Sequence, residues 1–521
     1  MATTTTLEIH PAIGIARLGS SQEFFVGPES GEPIPTDRRD ATPDKLLKRQ
    51  AARFRVYSCV RDPQGNLVSF QELTAAVSTI SWTVHLVNRK AAAPAFLKND
   101  VPNTDRTFRR NGATGDPAAD SALIIDGGAK TLSGASQPKT VFKGSFKGNE
   151  VALGEMSTDA DGRLVVVGGF GVSRSFPTTY IGNFADNDNW HDDTSDGPVE
   201  ASVHFLDGRP DQNVDKPGWV ICCQPDFAPG IGNIVTLYDA FVEQGIIRNV
   251  LTLPTFRPAF DRDILPLLQR VLMYQWVNRF GQVAHSPSGG IGSFSNPDLG
   301  DPTKPNTPRL AIFSHLSDPD HPTPGPIPAS KKPMPAVFSD NYFTDKTLPL
   351  LLTRPQYRIL KAWANGAFDQ KASEHATPPV PDDPDALSRF VLDQCVGASF
   401  CPGIEAGRRI RDDIYEGQEL FRFDRAKLDP GGLTESMALP WQADFIDCAW
   451  EQSGGLGNGR GWWPAQRPDD VFTSVGGTMD SWLRGIANVN EFIQDWSKLG
   501  VVLDKGTPSS PFFVEDQRVL P

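Results

Sequence analysis

Ile80-Ser-Trp-Thr-Val-His-Leu-Val87 carries the clearest strand pattern in the sequence. Its apolar residues alternate with polar ones, and a period of two is typical of a strand with one buried face. Shorter apolar runs occur at Leu164-Val-Val-Val167 and Trp219-Val-Ile-Cys222, and clusters of Gly, Pro, Asn and Asp separate such runs. The pattern predicts a β-rich first half with long loops.

The second half has a different periodicity. Apolar residues recur at i, i+3, i+4 and i+7, which predicts helices at residues 261–278, 355–363, 384–395, 440–450 and 480–499. Residues 286–335 are rich in Pro, Gly, Ser and Asp, and we expect a long irregular excursion there. We therefore predict an α+β fold, with a β-rich domain at residues 1–255 and a mainly helical domain at residues 256–521.

Composition and charge exclude several classes of protein. The chain has 521 residues and a net charge of −13, so an acidic surface would repel the phosphate backbone of a nucleic acid. It has no uninterrupted apolar stretch of the ~18–20 residues that a membrane span needs. The N-terminus shows no cleavable signal peptide. We expect a soluble protein that is cytoplasmic or exported by a leaderless route.

The cysteines and one glycine motif limit the metals and cofactors that we expect. Six cysteines with no C-x-x-C pair are not a disulfide framework, and structural zinc is not expected. Gly169-Phe-Gly171 follows an apolar run like the start of a dinucleotide fingerprint. Ser-Arg-Ser and Pro177 interrupt any crossover helix, so a tight turn is the better interpretation and no NAD is expected.

An unusually acidic segment lies at Asn187-Asp-Asn-Trp-His-Asp-Asp-Thr-Ser-Asp-Gly-Pro198. Its four carboxylates suit a hard cation such as Ca²⁺, but their spacing fits no EF-hand. Asp and Asn side chains also build turns with their own backbone. We interpret the segment first as an ordered loop, second as the wall of a site and third as a metal site. His191 is its one side chain that ordinarily titrates near neutral pH.

Asp444 and Cys448 stand at i and i+4 of the predicted helix at 440–450, and therefore share one face. Neighbouring aromatic residues would exclude water from the carboxylate, which suits a base. The alternative is a structural pair, in which Cys448 is a small buried side chain and Asp444 caps a backbone amide. The residues alone favour this structural alternative.

Two adjacent tryptophans, Trp462 and Trp463, precede a proline in the Gly-flanked segment Arg460-Gly-Trp-Trp-Pro-Ala-Gln-Arg467. A Trp pair in a loop is either a stacking platform for a ligand or an anchor in the core. The donors and acceptors that follow it, Gln466, Arg467 and Asp469, are unusual for a plain anchor.

With these motifs, the sequence resembles the cysteine tryptophylquinone amino-acid oxidases, a family with lysine-oxidising and glycine-oxidising members. The matching stretches run the length of the chain and include long, specific motifs. They are Ile9-His-Pro-Ala-Ile-Gly-Ile-Ala-Arg17, Asp188-Asn-Trp-His-Asp-Asp-Thr-Ser-Asp-Gly-Pro-Val199, Cys222-Cys-Gln-Pro-Asp-Phe-Ala-Pro229, Phe400-Cys-Pro-Gly-Ile-Glu405, Trp441-Gln-Ala-Asp-Phe445 and Trp462-Trp-Pro-Ala-Gln-Arg-Pro468.

The resemblance implies a cofactor made from the protein's own side chains, a Cys sulfur joined to a Trp indole that is oxidised to an ortho-quinone. By position Cys448 is the cysteine and Trp463 the tryptophan, with Trp462 as the alternative. Asp444 is implied as the carboxylate beside the quinone and as necessary for its formation. This implication favours a functional role for Asp444 and Cys448, in a helical domain that carries the cofactor. Neither NAD nor a metal is needed for the chemistry.

The implied reaction is the oxidative deamination of a primary amine. The amine forms a Schiff base with the quinone, a base removes the carbon-bound proton, and O₂ reoxidises the cofactor to yield hydrogen peroxide and ammonia. Asp444 is the first candidate base and His191 the second. A non-catalytic binding or interaction protein on the same scaffold is the alternative, and a Ca²⁺-dependent module built on the acidic loop is the third hypothesis.

Two positions bear on the substrate. The lysine-oxidising member of the family has Tyr and Cys where this chain has His191 and Cys401, whereas glycine-oxidising members have Phe and His. Cys401 thus matches the lysine type and His191 matches neither, so a lysine-type amine is slightly favoured, with a peptide-borne amine as another option. The resemblance also implies a flavoprotein maturation partner and a homo-oligomer.

Overall fold

The computed structural model describes the positions of most of the chain. For residues 98, 101–102, 407–408 and 447–452 it describes the backbone alone. The predicted site residues Cys401, Trp462 and Trp463 lie outside the described residues, as does much of the predicted excursion at 286–335. The described ranges are residues 3–29, 32–98, 101–103, 106–279, 281–282, 296–321, 351–372, 383–397, 406–452, 464–507 and 510–520.

The first half of the chain is built from strands, as its alternating pattern predicts. They are β1 (Thr4–His10), β2 (Ile13–Arg17), β3 (Phe24–Val26), β4 (Arg49–Arg61), β5 (Leu67–Leu73), β6 (Ser78–Asn88), β7 (Leu97–Lys98), β8 (Val101–Pro102), β9 (Ile125–Ser133), β10 (Thr140–Phe146), β11 (Asn149–Thr158), β12 (Leu164–Gly168), β13 (Arg174–Ser175), β14 (Trp190–His191), β15 (Ser195–Phe205), β16 (Gln212–Asn213) and β17 (Gly218–Cys223).

Most of these strands form one strongly curved sheet in the order β10-β11-β12-β4-β2-β17-β15-β6-β9. Strands β1, β3 and β5 also pair with the long strand β4, and β16 pairs with β15. Pairing along the main order is antiparallel except between β17 and β2, which are parallel. The two end strands lie against each other, since a Cβ on Gly144 of β10 would stand 2.7 Å from the carbonyl oxygen of Asp126 in β9. The sheet is therefore nearly closed.

Strand β6 shows how the alternating pattern builds the core of this sheet. Trp82 and Val84 are fully buried inside it, and the intervening residues are half-exposed. The indole Nε1 of Trp82 donates to the carbonyl oxygen of Gly162 at 2.9 Å, so the one polar atom of this buried ring is satisfied. The strands predicted at 80–87, 164–167 and 219–222 are confirmed.

The rest of the described chain is mainly helical, with two added hairpins. The helices are α1 (Leu237–Ile247), α2 (Leu265–Met273), α3 (Thr307–Phe313), α4 (Arg354–Ala364), α5 (Pro384–Asp393), α6 (Trp441–Gln452) and α7 (Val489–Asp495), and the hairpins pair β18 (Asp470–Phe472) with β19 (Met479–Ser481) and β20 (Val501–Asp504) with β21 (Phe513–Asp516). The α+β fold class is confirmed. None of the described helices is both long and apolar enough to cross a membrane.

One helix prediction is largely wrong. Residues 480–499 begin in strand β19, pass through turns with Gly485 at a φ of 81°, and become helical only at Val489, where Asn488 caps the helix. Trp482, which supplied part of the apolar pattern, instead fills the core with its Nε1 bonded to the carbonyl of Gly500. Helix α1 already begins at Leu237, inside the range predicted as β-rich.

Two large apolar clusters meet where helix α6 begins. One fills the curved sheet around Trp82 and includes Leu439 from the second half of the chain. The other surrounds Trp441, Trp363 and Trp482 and includes Phe227 from the first half. Since residues 439 and 441 belong to different clusters, the start of α6 is fixed against both parts of the fold.

Candidate active site

Helix α6 carries two of the predicted site residues, Asp444 and Cys448. Its first turn is buried, because the ring of Trp441 packs on Phe445 at 5.1 Å and on Trp496 at 5.3 Å between centroids. The predicted helix is confirmed, and its backbone is helical through residue 452. The spacing of four residues therefore places Asp444 and Cys448 on one face of α6. The Asp444 side chain is 3% exposed, as expected for a carboxylate among aromatic rings.

The segment that directly follows the tryptophan pair is attached to both parts of the fold. The backbone N–H of Ala465 donates to Oδ1 of Asn233 at 3.2 Å, and the carbonyl of Gln466 accepts from the N–H of Phe227 at 3.0 Å. The guanidinium of Arg467 donates to the carbonyl of Phe445 in α6. Residues 464–467 are thus bonded to the helix that carries Cys448.

The acidic loop is ordered and largely buried, as its first interpretation predicts. Asp192 is fully buried and accepts hydrogen bonds at both oxygens. Its Oδ1 accepts from Asn88 at 2.9 Å and from the Thr194 hydroxyl at 2.8 Å. Its Oδ2 accepts from Nζ of Lys90 at 2.6 Å and from the backbone N–H of Trp441 at 3.0 Å. This carboxylate therefore links the loop to α6.

Asp196, four residues on, binds a second segment of the C-terminal half. Its Oδ1 accepts from the Thr434 hydroxyl at 2.6 Å and from the Thr434 N–H at 2.8 Å, and its Oδ2 accepts from Nε1 of Trp219 at 2.9 Å. Burial raises the pKa of Asp196 to about 6, although these donors oppose the shift. Such a carboxylate is a structural acceptor rather than an open ligand for a cation.

Asp193 bonds to the loop around Gly169, unlike Asp192 and Asp196, which bond to the C-terminal half. Its Oδ2 accepts from the N–H of Phe170 at 2.7 Å, and a Cβ on Gly169 would lie 2.5 Å from the same oxygen. Burial raises the pKa of Asp193 to about 7. Residues 169–173 are irregular, with Gly171 at a φ of 72°, and no helix follows them before β14. The interpretation as a turn rather than a dinucleotide fingerprint agrees with this backbone.

His191 is buried between two phenylalanines and does not face open solvent. Its ring stacks on Phe176 at 5.9 Å and lies 5.2 Å from Phe146 between centroids. Burial lowers the pKa of His191 below its ordinary value, although the charge of Asp192 opposes the shift. The imidazole is therefore neutral near pH 7. Its Nδ1 has no hydrogen-bond partner among the described residues.

One group of side chains in the described part of the chain has the composition of a metal site, namely Glu8, His10 and Cys59. Both oxygens of Glu8 already accept from the guanidinium of Arg61 at 2.8 Å, and Nδ1 of His10 bonds to Ser388 at 2.9 Å. These bonds and the charge of Arg61 oppose the entry of a cation. The group is a buried ion-pair network.

Sequence reasoning missed the residues that position α6. Lys90 is fully buried directly before a run of three alanines, and nothing local predicts its partner Asp192. Gln442 was also missed; its Oε1 accepts from the Ser173 hydroxyl at 2.7 Å, and its Nε2 donates to the carbonyl of Gly171 at 3.2 Å. No short-range signal could have found either contact, since the partners lie 102 and about 270 residues away.

Comparison with known proteins identifies the family of this chain. Residues 10–222 match the model of the L-lysine epsilon oxidase N-terminal domain, and residues 335–469 match that of the L-lysine epsilon oxidase C-terminal domain. The chain belongs to the L-lysine epsilon-oxidase family. L-lysine 6-oxidase of Marinomonas mediterranea is 26% identical, over 98% of this chain and 89% of that protein.

Solved structures of the L-lysine epsilon-oxidase family agree over nearly the whole chain. The crystal structure of the Schiff base intermediate of L-Lys epsilon-oxidase from M. mediterranea with L-Lys has a TM-score of 0.77 at 25% identity, and covers 98% of this chain and 95% of that one. A second crystal structure of the same oxidase has a TM-score of 0.75 at 26% identity, with 98% and 94% covered. The family membership inferred from the motifs is confirmed, and the chain is an amino-acid oxidase of the lysine-oxidase type.

Proposed function

We propose that this chain oxidises a primary amine with a cysteine tryptophylquinone made from Cys448 and Trp463. The observation that carries the proposal is the buried carboxylate of Asp444 on the same face of α6 as Cys448, one helical turn away. Such a carboxylate can take protons from a thiol or an indole while a cross-link forms. A plain core helix would gain nothing from an acid at this position.

The hydrogen bonds that hold residues 464–467 against α6 also support the proposed cofactor. Trp463 immediately precedes Pro464, and the segment that follows is bonded to α6 at Phe445, three residues before Cys448. The described chain next to the tryptophan pair is therefore bonded to the helix that carries Cys448. Trp463 remains the tryptophan that we propose, with Trp462 as the alternative, as the resemblance implies.

The overall reaction balances with dioxygen as the oxidant. One amine, one O₂ and one water give one aldehyde or oxo acid, one ammonia and one hydrogen peroxide. The quinone supplies an electrophilic carbonyl and accepts two electrons from the substrate carbon. No nicotinamide or metal is required for this balance.

Asp444 is our candidate for the base that takes the proton from the substrate carbon. Its burial among the rings of the first turn keeps bulk water away from the carboxylate, so a proton placed there is not lost at once to solvent. His191 remains the second candidate. Its neutral imidazole can accept a proton, and its Nδ1 has no partner in the described part of the chain.

A lysine-type amine is the substrate that we favour. The crystal structure of the Schiff base intermediate of the M. mediterranea oxidase, to which this chain is similar, was solved with L-Lys. A neutral His191 adds no positive charge that would repel a cationic substrate. Asp192 and Asp196 are already held by Lys90 and Thr434, so an acid that binds the distal charge must be another one. An amine carried on a peptide is the other option.

Intact mass and peptide mapping test the proposal on protein coexpressed with a flavoprotein maturation partner. Two oxygens gained and four hydrogens lost raise the mass by about 28 Da, with the peptides of Cys448 and Trp463 joined. Cys448→Ser should lose this gain completely, and Trp463→Phe should lose it while Trp462→Phe keeps it. Asp444→Asn should leave a folded protein with little or no cross-link.

A peroxide assay with single amines then defines the substrate. We expect hydrogen peroxide with L-lysine or a related amine, and none from Cys448→Ser. Wild-type protein that has an unmodified mass and produces no peroxide with any amine, even with the flavoprotein present, would contradict the proposal and favour a non-catalytic binding protein on this scaffold.

A further inference from the structure

Helix α6 receives its N-terminal cap from another part of the chain. The first N–H groups of a helix have no acceptor within the helix, and a Ser, Thr, Asp or Asn just before it usually supplies one. The residue before Trp441 is Pro440, whose side chain has no acceptor. The N–H of Trp441 instead donates to Oδ2 of Asp192, 249 residues away in sequence.

The capping carboxylate is itself held by a buried ion pair. Nζ of Lys90 lies 2.6 Å from Oδ2 of Asp192, and both side chains are fully buried. The same ammonium donates to the carbonyl of Ala438 at 2.8 Å, so Lys90 also holds the segment that leads into α6. Asn88 and Thr194 hold the other oxygen of Asp192 and leave it no alternative orientation.

The charges of Asp192 and Lys90 stabilise the start of α6. The carboxylate stands at the positive end of the α6 dipole, and the ammonium neutralises it in a region that excludes water. Gln442, the second residue of α6, is fixed separately by Ser173 and Gly171. The first turn, which ends at Asp444, is thus held by the β-rich half of the chain rather than by its own loop.

We propose that Lys90 and Asp192 are positioning residues for the cofactor, which set the start of α6 so that Asp444 and Cys448 meet the tryptophan in the geometry that cross-linking requires. This inference rests on the function proposed above. A shift of about 1 Å in a reacting group can reduce a rate by about a hundredfold. Loss of the pair should therefore reduce cofactor formation well before it unfolds the protein.

The test compares three variants with a matched control, all coexpressed with the flavoprotein. Asp192→Asn and Lys90→Met each leave one partner unpaired, whereas the double variant Lys90→Met with Asp192→Asn removes both charges together. The amide oxygen that replaces the carboxylate can still accept from Asn88 and Thr194. Removing both charges of a buried ion pair together is often neutral for stability. The double variant should therefore fold even where a single one does not.

Glu8→Gln is the control, because Glu8 is 1% exposed and paired with Arg61 of β4, and none of its hydrogen bonds among the described residues is to α6. The readouts are the cross-linked fraction of folded protein from peptide mapping, the visible absorption of the quinone, and the melting temperature. We expect the cross-linked fraction to fall about tenfold or more in the double variant and in any folded single variant. Glu8→Gln should melt earlier and remain fully cross-linked.

The outcomes separate this inference from the proposed function. Wild-type protein without a cross-link would remove the proposed function and this inference together. Cross-linked wild type, with the double variant folded and equally cross-linked, would overturn the inference and leave the function intact. A reduced cross-linked fraction in Glu8→Gln, equal to that of the double variant, would also overturn it, since general destabilisation would then explain both.

Discussion

Asp193 and Phe170 are joined by a 2.7 Å hydrogen bond from the backbone N–H of Phe170 to Oδ2, while Oδ1 of Asp193 has no hydrogen-bond partner among the described residues. A buried carboxyl with one satisfied oxygen is stable as the neutral acid, because the ionised form would need more donors. This explains why burial raises the pKa of Asp193 to about 7, against an ordinary value of 3.8.

The first prediction concerns the pH dependence of stability. A group with a raised pKa in the folded state stabilises the fold fully below its unfolded pKa, and this contribution is lost as the pH rises through the folded pKa. Between pH 3.8 and 7 the loss for Asp193 is on the order of 4 kcal/mol. In Asp193→Asn, the amide oxygen can accept from Phe170 and no charge forms.

We therefore expect Asp193→Asn to match the wild type near pH 3.5 and to exceed it by a few kcal/mol at pH 7.5. Denaturant unfolding at several pH values measures this difference. Buried Asp196 titrates in the same direction, but it is present in both proteins and cancels in the comparison. Parallel stability curves for the two proteins would show that Asp193 is already ionised in the fold.

The second prediction tests the contact between Asp196 and Thr434. Thr434→Val removes the hydroxyl that donates to Oδ1 of Asp196 at 2.6 Å, in a fully buried position. Loss of one bond to a buried carboxylate should cost about 1–3 kcal/mol of unfolding free energy. Thr83→Val is the control, because the Thr83 hydroxyl bonds to Thr131 at the surface and its loss should cost less than about 0.5 kcal/mol. Equal costs for the two variants would contradict the buried contact.

The third prediction concerns His191 and the pH profile of the oxidase. Burial lowers the pKa of His191 below its ordinary value of 6.5, so its imidazole is mainly neutral between pH 6.5 and 8. His191→Phe should therefore leave the shape of the kcat/KM profile unchanged in this range, even if the absolute rate falls. Steady-state assays from pH 6 to 9 measure it. Disappearance of a limb near pH 6.5 in the variant would show instead that His191 titrates during the reaction.

The fourth prediction concerns the group formed by Glu8, His10 and Cys59. Because Arg61 occupies both oxygens of Glu8, we expect a chelator to leave the melting temperature unchanged. Glu8→Gln should destabilise the protein by about 1–3 kcal/mol, since Arg61 loses the charge of Glu8 but keeps Asp385 at 2.7 Å. A melting temperature that falls with a chelator and recovers with added zinc would identify a metal site.

Local pattern predicted most of the elements, and its main failure has a local cause. The alternation at 80–87 and the helical spacing at 440–450 each reflect one buried face, and both elements formed where expected. The apolar residues at 480–499 suggested one helix, but in the fold they belong to different elements. Trp482 follows a strand and is buried in the core, whereas Phe492 lies on a helix. Apolar spacing cannot distinguish these cases when turns interrupt a segment.

The sequence by itself determined that Asp444 and Cys448 share a face, because four residues of helix geometry suffice for that relation. Only the tertiary structure decided what holds this helix and what the acidic loop does. Asp192 bonds to Trp441, 249 residues away in sequence, and to Lys90, 102 residues away. The sequence around each of these residues contains no periodic pattern that would indicate its partner. Hydrogen bonds between distant segments depend on how the sheet brings β6 and the loop before β15 against α6. That packing is a property of the whole fold, which no window of local sequence contains.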